Sequence, residues 1–229
     1  REQIDDPEVA KLLVPMSHPF GTKRVPLESG YFEAYNRPNV HLVDLHSSPI
    51  ECFSESGIKT TTREYEFDVI IYATGFDAVT GALNRIDIRG ESGQSLKDKW
   101  ADGPSTMLGM QTVGFPNMFI TAGPHNASSF CNVPRCLEQN VEWITDCIGY
   151  MRERKLTRIE ATSEAEAQWT EHVLEAADAT LLPDVDSWFM GANIPGKKRV
   201  FLNYVGGAQN FRAKCDEVAA DNYAGFDLR

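Results

Sequence analysis

Two apolar stretches constrain this chain more than any other feature. "EYEFDVIIYATG" (64–75) passes from alternation into a continuous apolar run and stops at Gly75, and "NMFITAG" (117–123) likewise runs into small residues. A strand with one wet face alternates, whereas a strand covered on both faces reads as an unbroken apolar run. Both stretches are therefore expected to be strands of a doubly covered sheet in a layered α/β architecture. In such sheets ligands lie beyond the carboxyl ends of the strands, and phosphates or anionic rings face helix N-termini. The G-x-G-x-x-G turn that receives a pyrophosphate occurs nowhere in the sequence.

The surrounding pattern fits that architecture. Asp6 and Pro7 read as an N-cap and first helical position, and Val9, Leu12 and Leu13 give a short apolar face that Pro15 ends. A short helix is expected over 27–36, a strand over 39–45, and a hairpin of "PIECF" and "GIKTT" around "SESG". A short helix is expected at "SLKDKW". The longest helix begins at Asn132, with Pro134 in its first turn and Val133, Leu137, Val141, Ile144, Ile148 and Met151 on one face. A second helix opens on the capping box Ser163–Glu166 and carries Trp169, Val173 and Ala176. "SWFMGANIPGKKR" is a loop, because its glycines, asparagine and proline break both periods; "VFLNYVGG" is then a strand and 208–223 a last helix.

Composition excludes several partners. Against 22 Lys and Arg stand 33 Asp and Glu, a net charge of -11, which opposes binding to nucleic acid or to an anionic membrane. No apolar run approaches the ~20 residues that cross a bilayer. The N-terminal stretch lacks the basic-then-apolar order of a signal peptide, so a soluble, cytoplasmic protein is expected. Five cysteines form no C-x-x-C pair and are odd in number, which indicates neither a disulfide framework nor a zinc site; Cys131 and Cys136 read as small buried residues. No metal site is expected, because the histidines are scattered.

In so acidic a chain, the Lys23–Arg24 pair before an aromatic-rich stretch is conspicuous. "PFGTKRVPLESGYFEAYNRPNVHLVD", "EFDVIIYATGFDAVTGAL" with "IDIRG", "GFPNMFITAGP", "LEQNVEWI" and "SWFMGANIPGKKR" followed by "YVGG" together resemble the C-terminal portion of Baeyer–Villiger monooxygenases of the phenylacetone and cyclohexanone type. These are class B flavoproteins that use FAD and NADPH. The resemblance runs in order over essentially the whole chain. It implies the C-terminal part of an α/β flavoprotein with two dinucleotide-binding, Rossmann-like domains. Residues 1–20 would end a helical subdomain, 21–68 would be the returning part of the NADP-binding domain, and 69–229 that of the FAD-binding domain, with a mobile loop at about 185–200.

The same resemblance implies site residues. Arg24 would lie at the flavin ring as the catalytic cation, where a fixed guanidinium in a dry cavity stabilises negative charge developing on oxygen. Lys23 would meet the ribose and 2'-phosphate of NADPH. Trp188 would close on the nicotinamide cofactor, its indole offering one N–H and a large apolar face, with Asn193 and Gly196 shaping that lid. Ser128, Ser129 and Phe130 would line the substrate pocket, and Asn132 and Val133 would adjoin the flavin. Gly75 and Asp77 would lie near the cofactor or at a domain hinge. The implied activity is insertion of one oxygen of O2 beside a ketone carbonyl, giving an ester or lactone. The alternatives are heteroatom oxygenation of a sulfide or amine by a related enzyme, and a noncatalytic half that needs an N-terminal partner. The two glycine fingerprints, the signature stretch between them and the upstream aspartate are absent from the sequence, so the N-terminal FAD- and NADP-binding portion is an expected partner.

Overall fold

Local capping decides where the first helix begins. Asp6 accepts hydrogen bonds from the backbone N–H groups of Glu8 and Val9 at 2.8 and 3.4 Å, and Pro7 occupies the first turn of α1 (Pro7–Leu13). The computed structural model describes residues 3–229, apart from the side chains of residues 128 and 129. It divides into two compact units, one reaching to Gly75 and one spanning Phe76–Arg229.

In the first unit, the helix expected over 27–36 is confined to a 3-10 turn, Glu33–Asn36. Gly30 takes a φ of +74°, which a right-handed helix cannot contain. The expected hairpin is present as β1 (Ile50–Phe53) and β2 (Gly57–Thr60), and β3 (Glu64–Glu66) adds a third antiparallel strand in the order β1-β2-β3. Gly57 is required there, since a Cβ would meet the Tyr65 carbonyl oxygen.

The apolar run beyond β3 corrects the sequence reading. Residues 67–75 carry no ladder, and neither do 39–45, 117–123 or 201–207. A strand is defined by a neighbour that takes its N–H and C=O groups in succession, and among the described residues these stretches make only isolated backbone bonds, such as Ile120 N–H to the Met110 carbonyl and Leu202 N–H to the Phe189 carbonyl. In the first of them Val69 and Ile71 are 74% and 85% exposed.

The second unit holds the core. Here α2 (Leu96–Lys99) is capped by Ser95, and α3 (Val133–Arg154) by Asn132, whose side chain accepts from Arg135 N–H at 3.3 Å. Then come β4 (Ile159–Ala161), α4 (Ser163–Asp178), α5 (Ala208–Ala220) and β5 (Phe226–Leu228). The cap of α4 is Thr162 rather than Ser163, its hydroxyl accepting from Ala165 N–H at 3.2 Å. Glu166 is therefore not the reciprocal arm of a capping box. Instead it turns inward, accepting from the Thr112 hydroxyl at 2.7 Å and Val113 N–H at 2.8 Å, with Lys99 at 3.1 Å. β4 and β5 pair antiparallel, Ile159 opposite Leu228.

Trp143 on α3 donates to the Cys215 carbonyl of α5 at 2.9 Å and packs edge-on against Tyr223 at 5.2 Å. Trp169 on α4 lies 5.2 Å from Tyr204 and 5.9 Å from Phe211. Each indole combines a large apolar area with one satisfied N–H, which fixes the helices in register as well as adhering them. Cys147 and Cys215 are buried between these helices, and desolvation pushes both thiols up to about 12. A disulfide joins Cys131 to Cys136, whose Cα atoms are 6.8 Å apart. Cys136 is buried as the sequence reading has it, while Cys131 is only partly so and the pairing was not expected: an odd total does not forbid one pair, and five residues' separation across a helix start brings the two together.

Candidate functional site

In the second unit, three segments meet near the start of α3. The chain reaches it through Gly109, at φ +62°, where an added Cβ would come within 2.8 Å of the Pro124 carbonyl oxygen and 2.9 Å of Asn126 N. That close approach holds the turn 124–126 in place. His125, at φ +61°, donates its backbone N–H to the Leu202 carbonyl at 2.9 Å, and its own carbonyl accepts from Trp169 Nε1 at 3.3 Å. Its ring is buried, with Nδ1 3.2 Å from the Thr106 hydroxyl and a hydrogen bond to the Phe201 backbone. Burial disfavours the imidazolium and pulls the ring down to about 4, so His125 is neutral at physiological pH.

Beyond it, a 3-10 turn covers Ala127–Phe130 and α3 begins at Val133. Phe130, 43% exposed, stacks on Phe189 at 4.9 Å, and Phe189 lies 4.1 Å from Trp188. The structure thus brings the expected pocket residue Phe130 and the expected lid residue Trp188 to one aromatic group. Asn132 and Val133 stand at the adjoining helix start, where Asn132 serves as the cap and Val133 is exposed. Ser128 and Ser129 are side chains outside the described residues.

Trp188 opens a 3-10 turn, Trp188–Met190, which ends at Gly191 in the left-handed region, φ +67°. Asn193 donates to the Phe76 carbonyl at 3.0 Å. Lys197 reaches Asp77 at 2.5 Å and the Ala78 carbonyl at 3.1 Å. Asp77 is therefore brought together with Asn193 and with Lys197, which sequence reasoning left out; the only signal for Lys197 was its place after "NIPG" in the loop. Gly196, at φ +78°, has open space around the position of a Cβ.

In the first unit, Thr22 is buried and donates its hydroxyl to the Pro19 carbonyl at 2.7 Å, closing a turn through Gly21 at φ +83°. Lys23 and Arg24 follow it, exposed and without an ion pair among the described residues. Two adjacent cations free of carboxylates in an acidic chain are suited to anionic ligands. Gly75 ends the unit at φ +89° with nothing near the position of a Cβ.

The chain is a mixed helix and strand portion of a flavoprotein built on two dinucleotide-binding domains, as its match to solved structures of that class shows. No family model matches the chain. It is 48% identical over its whole length to the 2-oxo-Delta(3)-4,5,5-trimethylcyclopentenylacetyl-CoA monooxygenase of Pseudomonas putida, and 45% identical to the cyclopentanone 1,2-monooxygenase of Comamonas sp.. A crystal structure of OTEMO complexed with FAD and NADP superposes with a TM-score of 0.95 at 49% identity, again over the whole chain and 42% of that protein. The homologues of the chain are Baeyer–Villiger monooxygenases. It spans 42% of the length of these two curated relatives. None of its described helices is long and apolar enough to cross a membrane.

Proposed function

We propose that the complete protein is an FAD- and NADPH-dependent Baeyer–Villiger monooxygenase, which inserts one oxygen of O2 beside a ketone carbonyl to give an ester or lactone. The observation that carries this reading is the unbroken match to monooxygenases, one of them solved with FAD and NADP. The bound FAD, reduced by NADPH, supplies the activation of O2.

This chain's residues supply position and charge. Arg24 is the cation that stabilises negative charge developing on oxygen, and Lys23 receives the 2'-phosphate of NADPH; a guanidinium and an ammonium without a carboxylate partner among the described residues are the donor types these anions need. Asn132 and Val133 present the start of α3 toward the flavin, Val133 through its backbone. Phe130, with Ser128 and Ser129, shapes the ketone pocket. Trp188 and Asn193 hold the nicotinamide side and exclude water. Gly75 and Asp77 lie near the cofactor or at a domain hinge. Residues 1–20, 21–68 and 69–229 belong to the helical, NADP-binding and FAD-binding domains, and an N-terminal portion carrying the glycine fingerprints completes both cofactor sites in the cytoplasm.

The test is conversion of a panel of ketones by the complete protein with NADPH, read as ester or lactone by gas chromatography. Failure with every ketone refutes the proposal; oxidation of a sulfide alone supports heteroatom oxygenation instead. In the complete protein Arg24→Ala is expected to abolish ester formation while flavin remains bound. Loss of flavin as well assigns Arg24 a structural role.

A further inference from the structure

Besides backbone bonds such as Val200 N–H to the Met190 carbonyl and Leu202 N–H to the Phe189 carbonyl, the loop that carries Trp188 is fastened by two ion pairs of different strength. Its stem is closed by Arg199 on Asp186 at 2.9 Å, with side chains 45% and 79% exposed, and such wet pairs hold weakly. Its tip is fastened by Lys197 on Asp77 at 2.5 Å, with side chains only 14% and 25% exposed. The same ammonium donates to the Ala78 carbonyl at 3.1 Å, and Asn193 donates to the Phe76 carbonyl at 3.0 Å. Three polar contacts, two of them from a shielded cation, therefore tie residues 193–197 to residues 76–78.

Both sides are shaped for this contact. An added Cβ at Gly191 would lie 3.3 Å from Lys197 Cδ and Cε and 3.2 Å from the Lys198 carbonyl oxygen, so the absent side chain is what lets the lysine stem pass. On the other side Val79, a β-branched residue, is held at φ +65°, and Thr80 N–H donates back to the Ala78 carbonyl at 2.8 Å. Left-handed valine is a costly conformation that persists only where the surroundings impose it. Gly81 then packs so closely that a Cβ would meet the Asp77 carboxylate carbon. The turn 77–81 thus presents one carboxylate in a fixed direction, and Lys197 fills it.

We propose that Lys197, paired with Asp77, is the positioning residue that holds the Trp188 loop in its closed arrangement and so governs retention of the nicotinamide cofactor. This rests on the monooxygenase reading above and adds a residue to it. The ammonium is engaged by Asp77 and the Ala78 carbonyl, and it acts by fixing the backbone from Gly191 to Lys198, which follows directly on the Trp188–Met190 turn.

The test uses the complete, flavin-loaded protein and the variants Lys197→Met, Asp77→Asn and the double variant. Lys197→Met keeps the methylene stem beside Gly191 and removes only the charge. Each single variant is expected to raise the KM for NADPH about tenfold, the effect of losing one shielded charged hydrogen bond, and Lys197→Met is expected to leave kcat within about twofold. More NADPH is then consumed per ester formed. The double variant is expected to match either single one, as two ends of one contact do. An unchanged KM and coupling overturns the proposal, as does a parallel loss of flavin and thermal stability, which marks a purely structural pair. A readout independent of the reaction separates this from failure of the monooxygenase reading: trypsin cleavage after Lys198 or Arg199 in the presence of NADP+. Faster cleavage in Asp77→Asn than in the parent supports the clasp even if no ketone is converted, and equal rates refute it.

Discussion

Replacing His125 by asparagine isolates the energetic consequence of one buried imidazole. The ring is 1% exposed, and burial pulls it from the ordinary value of 6.5 to about 4. Because the folded value is the lower one, the unfolded chain binds the proton more readily at every pH between the two. Stability therefore rises with pH across this window: the His125 contribution is present in full above pH 6.5 and is lost as the pH falls toward 4. At about 1.4 kcal/mol per tenfold change in proton affinity, the whole displacement corresponds to about 3 kcal/mol, of which about 2 kcal/mol is gone by pH 5. Asparagine tolerates the left-handed backbone at φ +61° and does not titrate. All four tryptophans, Trp100, Trp143, Trp169 and Trp188, belong to the second unit, so urea unfolding followed by indole fluorescence reports on it. Between pH 7 and pH 5 the parent chain is expected to lose about 2 kcal/mol more than His125→Asn, measured in the same buffers so that carboxylate titration cancels. Parallel slopes for the two proteins refute the assignment of a buried neutral ring.

Other outcomes follow from packing and from thiol burial. Gly109→Ala is expected to cost at least about 2 kcal/mol in the same assay, since it combines a left-handed backbone with a collision against residues 124–126. Glu166→Ala strands Lys99, whose side chain is 16% exposed, and is expected to cost about 3 kcal/mol by urea unfolding, with the loss absent if Lys99 turns to water. Without reductant, iodoacetamide at pH 8 is expected to modify Cys52 in the native chain and to spare Cys147 and Cys215, read by peptide mass; labelling of either buried thiol contradicts their burial and elevated values.

Where structure depends on neighbours a few residues away, the sequence was legible. Asp6 before Pro7 and Asn132 before Val133 state helix starts in residues that touch one another, whereas the apolar period misplaced the buried face of α3: Val133, Val141 and Ile148 are exposed, and Cys136, Asn140, Trp143 and Cys147 are buried with Ile144 and Met151 because α5 and the 3-10 turn before α3 cover that side. The hairpin of β1 and β2 has the same local character. The α/β class and the resemblance to flavoprotein monooxygenases were equally readable, because they rest on ordered stretches of sequence. The one-residue shift of the α4 cap was not readable, since Thr162 and Ser163 are chemically equivalent as caps and the choice follows from where Glu166 finds its partners.

What only the tertiary structure decided are the partners. A run such as 67–75 announces that it suits burial on both faces, yet a ladder belongs to two strands, and one strand's sequence does not contain the other. β4 and β5 show the complementary case: three-residue segments too short to carry a period become strands because the chain ends bring 159–161 beside 226–228. The contact of Lys197 with Asp77, 120 residues apart, and the burial of His125 beneath Trp169 have the same origin. Period and capping are written in nearest neighbours; charge pairing, desolvation and strand pairing arise only once distant segments share a space.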